Sequence, residues 1–211
     1  MTSKKLPIVT LISGNGSNLQ AIIDALEQGL AVEIRAVISN REDAYGLERA
    51  KKYRIPREVI PYHSFSEHSS FEQILRKTID KYQPELIVLA GFMRKLSGDF
   101  VLHYEGRMLN IHPALLPKYP GLNTHARVLA AGDREHGVSV HYVTKTVDGG
   151  PIICQAKLLV LPDDTSESLR ARVHALEHIV YPKVLSWIAA RSLSLEGNRV
   201  LLDNEMLPNP K

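Results

Sequence analysis

Only one cysteine, Cys154, and one tryptophan occur among 211 residues. A lone thiol excludes an internal disulfide and any multi-thiolate metal site, and such sparing cysteine use fits a reducing compartment. No apolar run approaches the roughly 20 residues needed to cross a bilayer as a helix. The early run from Leu6 to Ile12 is too short for a signal-peptide core with a cleavage site, so a cytoplasmic protein without membrane attachment is expected. The formal charge is only +3 and no dense Lys/Arg block occurs, which gives a nucleic-acid partner no support. Nine histidines include no H-E-x-x-H pair and no tight His/Cys cluster, so no metal is expected. His63, His68, His103 and His136 read as solvated loop residues, and Glu177-His178 as an exposed pair. No G-x-S-x-G elbow offers a nucleophilic serine.

What is present is an alternation of elements. Leu6–Ile12 reads as a buried strand, Ser13–Asn18 as a glycine-rich turn, and Leu19–Leu26 as a helix ending near Gly29. Glu33–Ser39, Arg57–Ile60 and Leu86–Ala90 read as further strands, separated by helices over Asp43–Tyr53 and Phe71–Tyr82. In the second of these helices, Phe71, Ile74, Leu75 and Ile79 make the apolar face. This order predicts an α/β protein: a Rossmann-like open twisted sheet, parallel at first, with helices on both faces. After Gly91 the pattern changes. A short helix over Ser97–Tyr104 precedes a strand at Met108–Ile111. Gly137–Thr144 and Pro151–Val160 read as strands joined by Lys145–Gly150, an antiparallel C-terminal extension. Ser166–Ala190 reads as a long helix that Pro182 should kink or interrupt. Gly197-Asn198, inside Leu193–Leu202, signals a terminal hairpin.

Four stretches carry candidate chemistry. Asn110 and His112 stand two residues apart at a strand end, which points both side chains to one face. A carboxamide with two N–H donors and an acid–base imidazole can stabilise an oxygen that becomes negative in acyl transfer. Asn and Pro are also ordinary strand-ending residues, so the stretch alone leaves a structural role open. Gly14-Asn15-Gly16-Ser17-Asn18, between strand and helix, suits one terminal phosphate. Leu19 replaces the third glycine of a dinucleotide fingerprint, and a capped tight turn is the alternative. Asp148-Gly149-Gly150 offers a carboxylate able to orient His112 and raise its pKa if the fold brings them together; otherwise it is an Asp-Gly turn. Gly91–Leu96 follows the most apolar strand, where open α/β sheets bind ligands. Arg94 can meet an acidic group there, while Phe92, Met93 and Leu96 serve core packing equally well.

In order and spacing, Leu-Ile-Ser-Gly-Asn-Gly-Ser-Asn-Leu-Gln (11–20), Ala-Gly-Phe-Met-Arg (90–94), Asn-Ile-His-Pro (110–113) and Val-Asp-Gly-Gly-Pro (147–151) closely resemble the folate-dependent phosphoribosylglycinamide formyltransferase family. The resemblance runs from about Pro7 to the terminal hairpin. It implies one formyltransferase domain over 1–211, with a phosphate-binding part at about 1–105 and a folate-binding, catalytic part at about 106–211. It implies formyl transfer from 10-formyltetrahydrofolate to the amine of glycinamide ribonucleotide in purine synthesis, by a monomer or homodimer. Asn110, His112 and Asp148 match the catalytic trio. Gly16, Ser17 and Asn18 match the phosphate loop, and Glu177 the acid that binds the ribose hydroxyls. Met93, Arg94, Lys95 and Leu96 match the folate wall, joined by Asn110 and by Thr144, Lys145, Thr146, Val147 and Asp148. His68 stands where many relatives carry a folate-side Arg. Two other formylfolate users, methionyl-tRNA formyltransferase and formyltetrahydrofolate deformylase, are expected to need additional domains for which 211 residues leave no room. A nucleotide-sensing module would give the trio no reason to converge.

Overall fold

The computed structural model describes residues 5–197, 199–203 and 205–206. The chain divides into two compact units, Met1–Leu109 and Asn110–Lys211.

In the first unit, β1 (Leu6–Ile12) is buried at every position. It pairs in parallel with β2 (Val32–Ser39) on one side and β4 (Leu86–Leu89) on the other, and β2 pairs in parallel with β3 (Arg57–Val59). Continuous apolar runs such as Leu86-Ile87-Val88-Leu89 belong to strands covered on both faces, and all four of these residues are buried. The helices are α1 (Ser17–Glu27), α2 (Gly46–Lys52), α3 (His68–Lys81) and α4 (Gly98–His103), with a 3₁₀ turn at Tyr62–Ser64.

β5 (Met108–His112) starts in the first unit and ends in the second. The second unit continues with α5 (Thr124–Ala131), β6 (Glu135–Tyr142), β7 (Ile152–Leu159) and α6 (Ser166–Ala189). The strand order is β3-β2-β1-β4-β5-β6-β7, with β7 antiparallel to β6, so the sheet is mixed. A separate three-stranded sheet follows, made of β8 (Leu193–Glu196), β9 (Arg199–Leu202) and β10 (Glu205–Met206). β8 and β9 form the antiparallel hairpin read from the sequence, although Asn198 of its turn lies outside the described residues.

Several boundaries differ from the sequence reading, each for a local reason. α1 begins at Ser17, not Leu19, because Gly16 takes a left-handed conformation and its carbonyl accepts from the Gln20 N–H. α2 begins at Gly46, not Asp43. α3 begins at His68, not Phe71, and its polar first turn is held by a 3.0 Å contact between His68 and Glu72. Ile74 is 44% exposed while Phe71, Leu75 and Ile79 are buried, so the inward stripe runs i, i+4, i+8. α5 was not foreseen at all, though Gly132 at φ 67° marks its end. Pro182 lies inside α6 without interrupting it. That helix is secured elsewhere by a Thr165/Ser168 capping box and a buried stripe of Leu169, Val173, Val180, Tyr181, Val184 and Leu185.

Candidate active site

Three chemistry-bearing side chains converge in the second unit. Along β5, Asn110 and His112 point to the same side, and His112 is only 5% exposed. The loop between β6 and β7 brings Asp148 to both. Its Oδ2 lies 3.4 Å from His112 Nδ1, and its Oδ1 lies 3.5 Å from Asn110 Nδ2. Gly121 donates its N–H to Asp148 Oδ2 at 2.8 Å, which fixes the carboxylate against the loop that follows β5. Asp148 itself takes φ 51°, and a side chain on Gly150 would strike the Tyr142 carbonyl. The Asp-Gly-Gly sequence is therefore a requirement of this loop's path.

A fourth member, His141, escaped the sequence reading. It is 2% exposed on β6, its Nδ1 lies 2.8 Å from the Tyr142 carbonyl, and its Nε2 lies 3.3 Å from Asn110 Nδ2 and 3.6 Å from Asp148 Oδ1. Ser139 and His141 are polar residues at alternate positions of a buried strand. That period-2 polarity is the signal that points to them. Ser139 Oγ donates to the Ala114 carbonyl at 2.6 Å and accepts from Leu116 N–H and Gln155 Nε2, so it braces the proline-rich loop after His112.

His112 donates from Nε2 to the Tyr119 carbonyl at 2.8 Å. Burial pushes its pKa down, and the Tyr119 carbonyl and Asp148 carboxylate only partly offset this. Asp148 raises the His112 pKa as expected, but in this buried pocket desolvation outweighs it and the net direction is downward. Burial also pushes the Asp148 carboxyl up. The His141 and Gly121 hydrogen bonds and the His112 ring more than offset it, so Asp148 stays below the usual carboxylate range and ionised.

His136, read as a solvated loop residue, is 1% exposed on β6. Its Nε2 lies 2.9 Å from His125 Nδ1 on α5, with the rings nearly perpendicular. Burial, followed by the positive charges of neighbouring histidines, pushes both down to about 4. Between the unfolded value of 6.5 and about 4 the unfolded chain binds more protons, so stability falls on acidification. The melting temperature is expected to drop as pH decreases from 6.5 to 4, and His136→Gln to flatten that drop, measured by circular dichroism. Equal slopes for both proteins would remove this pair from the acid response. Glu177, read as part of an exposed pair, is 4% exposed within the apolar stripe of α6.

Most of the remaining sequence candidates belong to the first unit. Gly14-Asn15-Gly16 leads into α1, whose first turn carries Ser17 and Asn18 and no acidic residue. Ser13 ties the loop's base: its Oγ donates to Asn40 Oδ1 and accepts the Met93 N–H at 2.7 Å. Beyond Met93, which is 64% exposed, the Arg94 guanidinium stacks 3.8 Å from the Tyr62 ring centroid. Lys95 is exposed, and Phe92 and Leu96 are buried, which supports core packing for those two. His68 neighbours the same Tyr62 ring and bonds Glu72. In the second unit, Lys145, Thr146 and Val147 are exposed and Thr144 is half-buried. Among the described residues no three His, Cys, Asp or Glu side chains form a group that could hold a metal ion, and no helix is long and apolar enough to cross a membrane.

The mixed α/β sheet and its site are those of a formyl-group transferase by family: the chain belongs to the formyl transferase family, whose sequence model matches residues 6–185. Phosphoribosylglycinamide formyltransferase of Escherichia coli (strain K12) is 52% identical over 202 residues, 95% of each chain. The enzyme of that name from Haemophilus influenzae is 45% identical, again over 95% of each chain. The solved structure of the phosphoribosylglycinamide formyltransferase of Coxiella burnetii is 65% identical and superposes with a TM-score of 0.93, covering 96% of both chains.

Proposed function

We propose that this chain transfers the formyl group of 10-formyltetrahydrofolate to the amine of glycinamide ribonucleotide, a step of purine synthesis. One observation carries the reading: Asn110, His112 and Asp148 gather within a single unit of a formyl transferase, with Asp148 Oδ2 3.4 Å from His112 Nδ1. The substrate amine attacks the formyl carbon, and the carbonyl π electrons move onto oxygen. Asn110 Nδ2–H and His112 Nε2–H are the donors for that oxyanion, His112 exchanging the Tyr119 carbonyl for the substrate. Asp148, ionised and acceptor-only, takes the proton released by the attacking nitrogen. The carbonyl re-forms as the C–N bond to the folate N10 breaks, and the proton held by Asp148 passes to N10, which restores the carboxylate. Neither a metal nor a covalent enzyme intermediate is required.

On the substrate side, Gly16, Ser17 and Asn18 hold the ribonucleotide phosphate and Glu177 the ribose hydroxyls. Met93, Arg94, Lys95, Thr144, Lys145, Thr146, Val147 and His68 face formylfolate, while Leu96 packs in the core. In this reading 1–211 form one formyltransferase domain, with a phosphate-binding part at about 1–105 and a folate-binding, catalytic part at about 106–211. Purified protein given both substrates is expected to release tetrahydrofolate at a rate that depends on the ribonucleotide concentration. A rate equal to the protein-free control overturns the assignment.

A further inference from the structure

The loop at the start of α1 is gripped from behind by Arg49 of α2. Arg49 Nε donates to the Asn15 carbonyl at 2.9 Å, one terminal nitrogen to Asn15 Oδ1 at 3.0 Å, and the other to Gln20 Oε1 at 3.2 Å. The guanidinium also lies 4.9 Å from the Tyr45 ring centroid. α2 presses close to the same loop. Gly46 N–H donates to the Gly14 carbonyl at 3.0 Å, and a Cβ on Gly16 would fall 2.7 Å from Gly46 Cα. A planar fork of donors matches two oxygens of one residue in a way an ammonium cannot.

The charge balance is as informative as the geometry. Every oxygen Arg49 grips is neutral, and among the described residues no carboxylate pairs with it. The first turn of α1 likewise lacks an acidic residue. A full positive charge and the positive end of a helix thus meet at one loop, with the Asp24 carboxylate reached only through Gln20, an arrangement that favours an anion at the loop.

We propose that Arg49 is the positioning residue of the phosphate loop. It fixes Asn15, so that Gly16, Ser17 and Asn18 are presented in one shape, and its uncompensated charge selects a phosphomonoester dianion over an uncharged sugar. The inference rests on the phosphate role given to Gly16–Asn18 above.

The test compares wild type, Arg49→Met and Arg49→Lys, using ribose 5-phosphate and ribose as calorimetric probes and glycinamide ribonucleotide as substrate. Arg49→Met is expected to weaken ribose 5-phosphate binding and raise the KM for the ribonucleotide by about tenfold, the scale of one charge-assisted contact. The KM for formylfolate and turnover at saturation stay within about twofold. Arg49→Lys keeps the charge but loses the fork, and gives an intermediate KM. Should Arg49→Met fail to fold, the lysine variant decides alone: a wild-type KM for the ribonucleotide overturns the proposal. Equal rises in both KM values, or unchanged binding of ribose 5-phosphate, also overturn it. A wild type that binds ribose 5-phosphate through Arg49 yet transfers no formyl group refutes the proposed function and leaves this inference standing.

Discussion

His112→Ala is expected to lower kcat by about a thousandfold, with both KM values within a fewfold of wild type. The magnitude follows from two roles lost together. One is an N–H donor to the developing oxyanion, typically 10²–10³ in rate. The other is the neighbour that fixes and shares charge with Asp148, 3.4 Å away. Because donor strength is realised only as charge grows on oxygen, the loss falls on kcat rather than on binding. Asn110→Ala removes one donor only and is expected to cost about a hundredfold. The two effects are coupled through the carboxylate both side chains face, so the double variant loses less than their product. Steady-state kinetics with circular dichroism as a folding control checks this. Wild-type turnover in folded His112→Ala would remove the imidazole from the reaction.

Gly150→Ala is the second large effect, and it reads on stability as well as rate. An added methyl would lie 1.8 Å from the Tyr142 carbonyl oxygen, which is backbone and cannot swing aside. The same carbonyl accepts from His141 Nδ1 at 2.8 Å, so relief of the clash displaces both β6 and the loop bearing Asp148. A loss of about 3 kcal/mol is expected for such overpacking. In a chain of this length that corresponds to roughly 10 °C in melting temperature. Gly149→Ala is the contrast: its methyl meets Thr146 Cγ2 at 2.6 Å, which rotation removes, and Thr146 Cβ at 2.9 Å, which needs only a small shift of the exposed loop, so the loss is about 1 kcal/mol. Equal melting temperatures for the two variants would contradict the role given to the Gly150 approach.

Most of the strand framework was legible because burial on both faces writes continuous apolar runs, as in Leu86–Leu89, and these survive any choice of side-chain contact. The turn chemistry around Gly16 and Gly150 was legible for the same reason: glycine marks backbone that side chains cannot follow. The illegible parts are those decided by tertiary partners. Polar Ser69 and Ser70 look like loop, yet the His68–Glu72 pair draws them into α3. His136 looks solvated until its partner His125 on α5 is known, and α5 itself has only eight residues between polar flanks. His141 needed the alternation with Ser139 along β6 to be noticed, and its partners Asn110 and Asp148 come from elsewhere in the chain. Asp148's effect on His112 was legible, but the net direction of that pKa was not, because burial, unlike charge, is not written in the local sequence.

The destination of the one-carbon unit tests the central claim most directly. In a single turnover with carbon-labelled 10-formyltetrahydrofolate and glycinamide ribonucleotide, all the label lost from folate should appear as the formamide carbon of the ribonucleotide, and His112→Ala should slow that appearance. Label released as formate, with the ribonucleotide amine unchanged, would mean that water rather than the amine attacks, and would contradict the account.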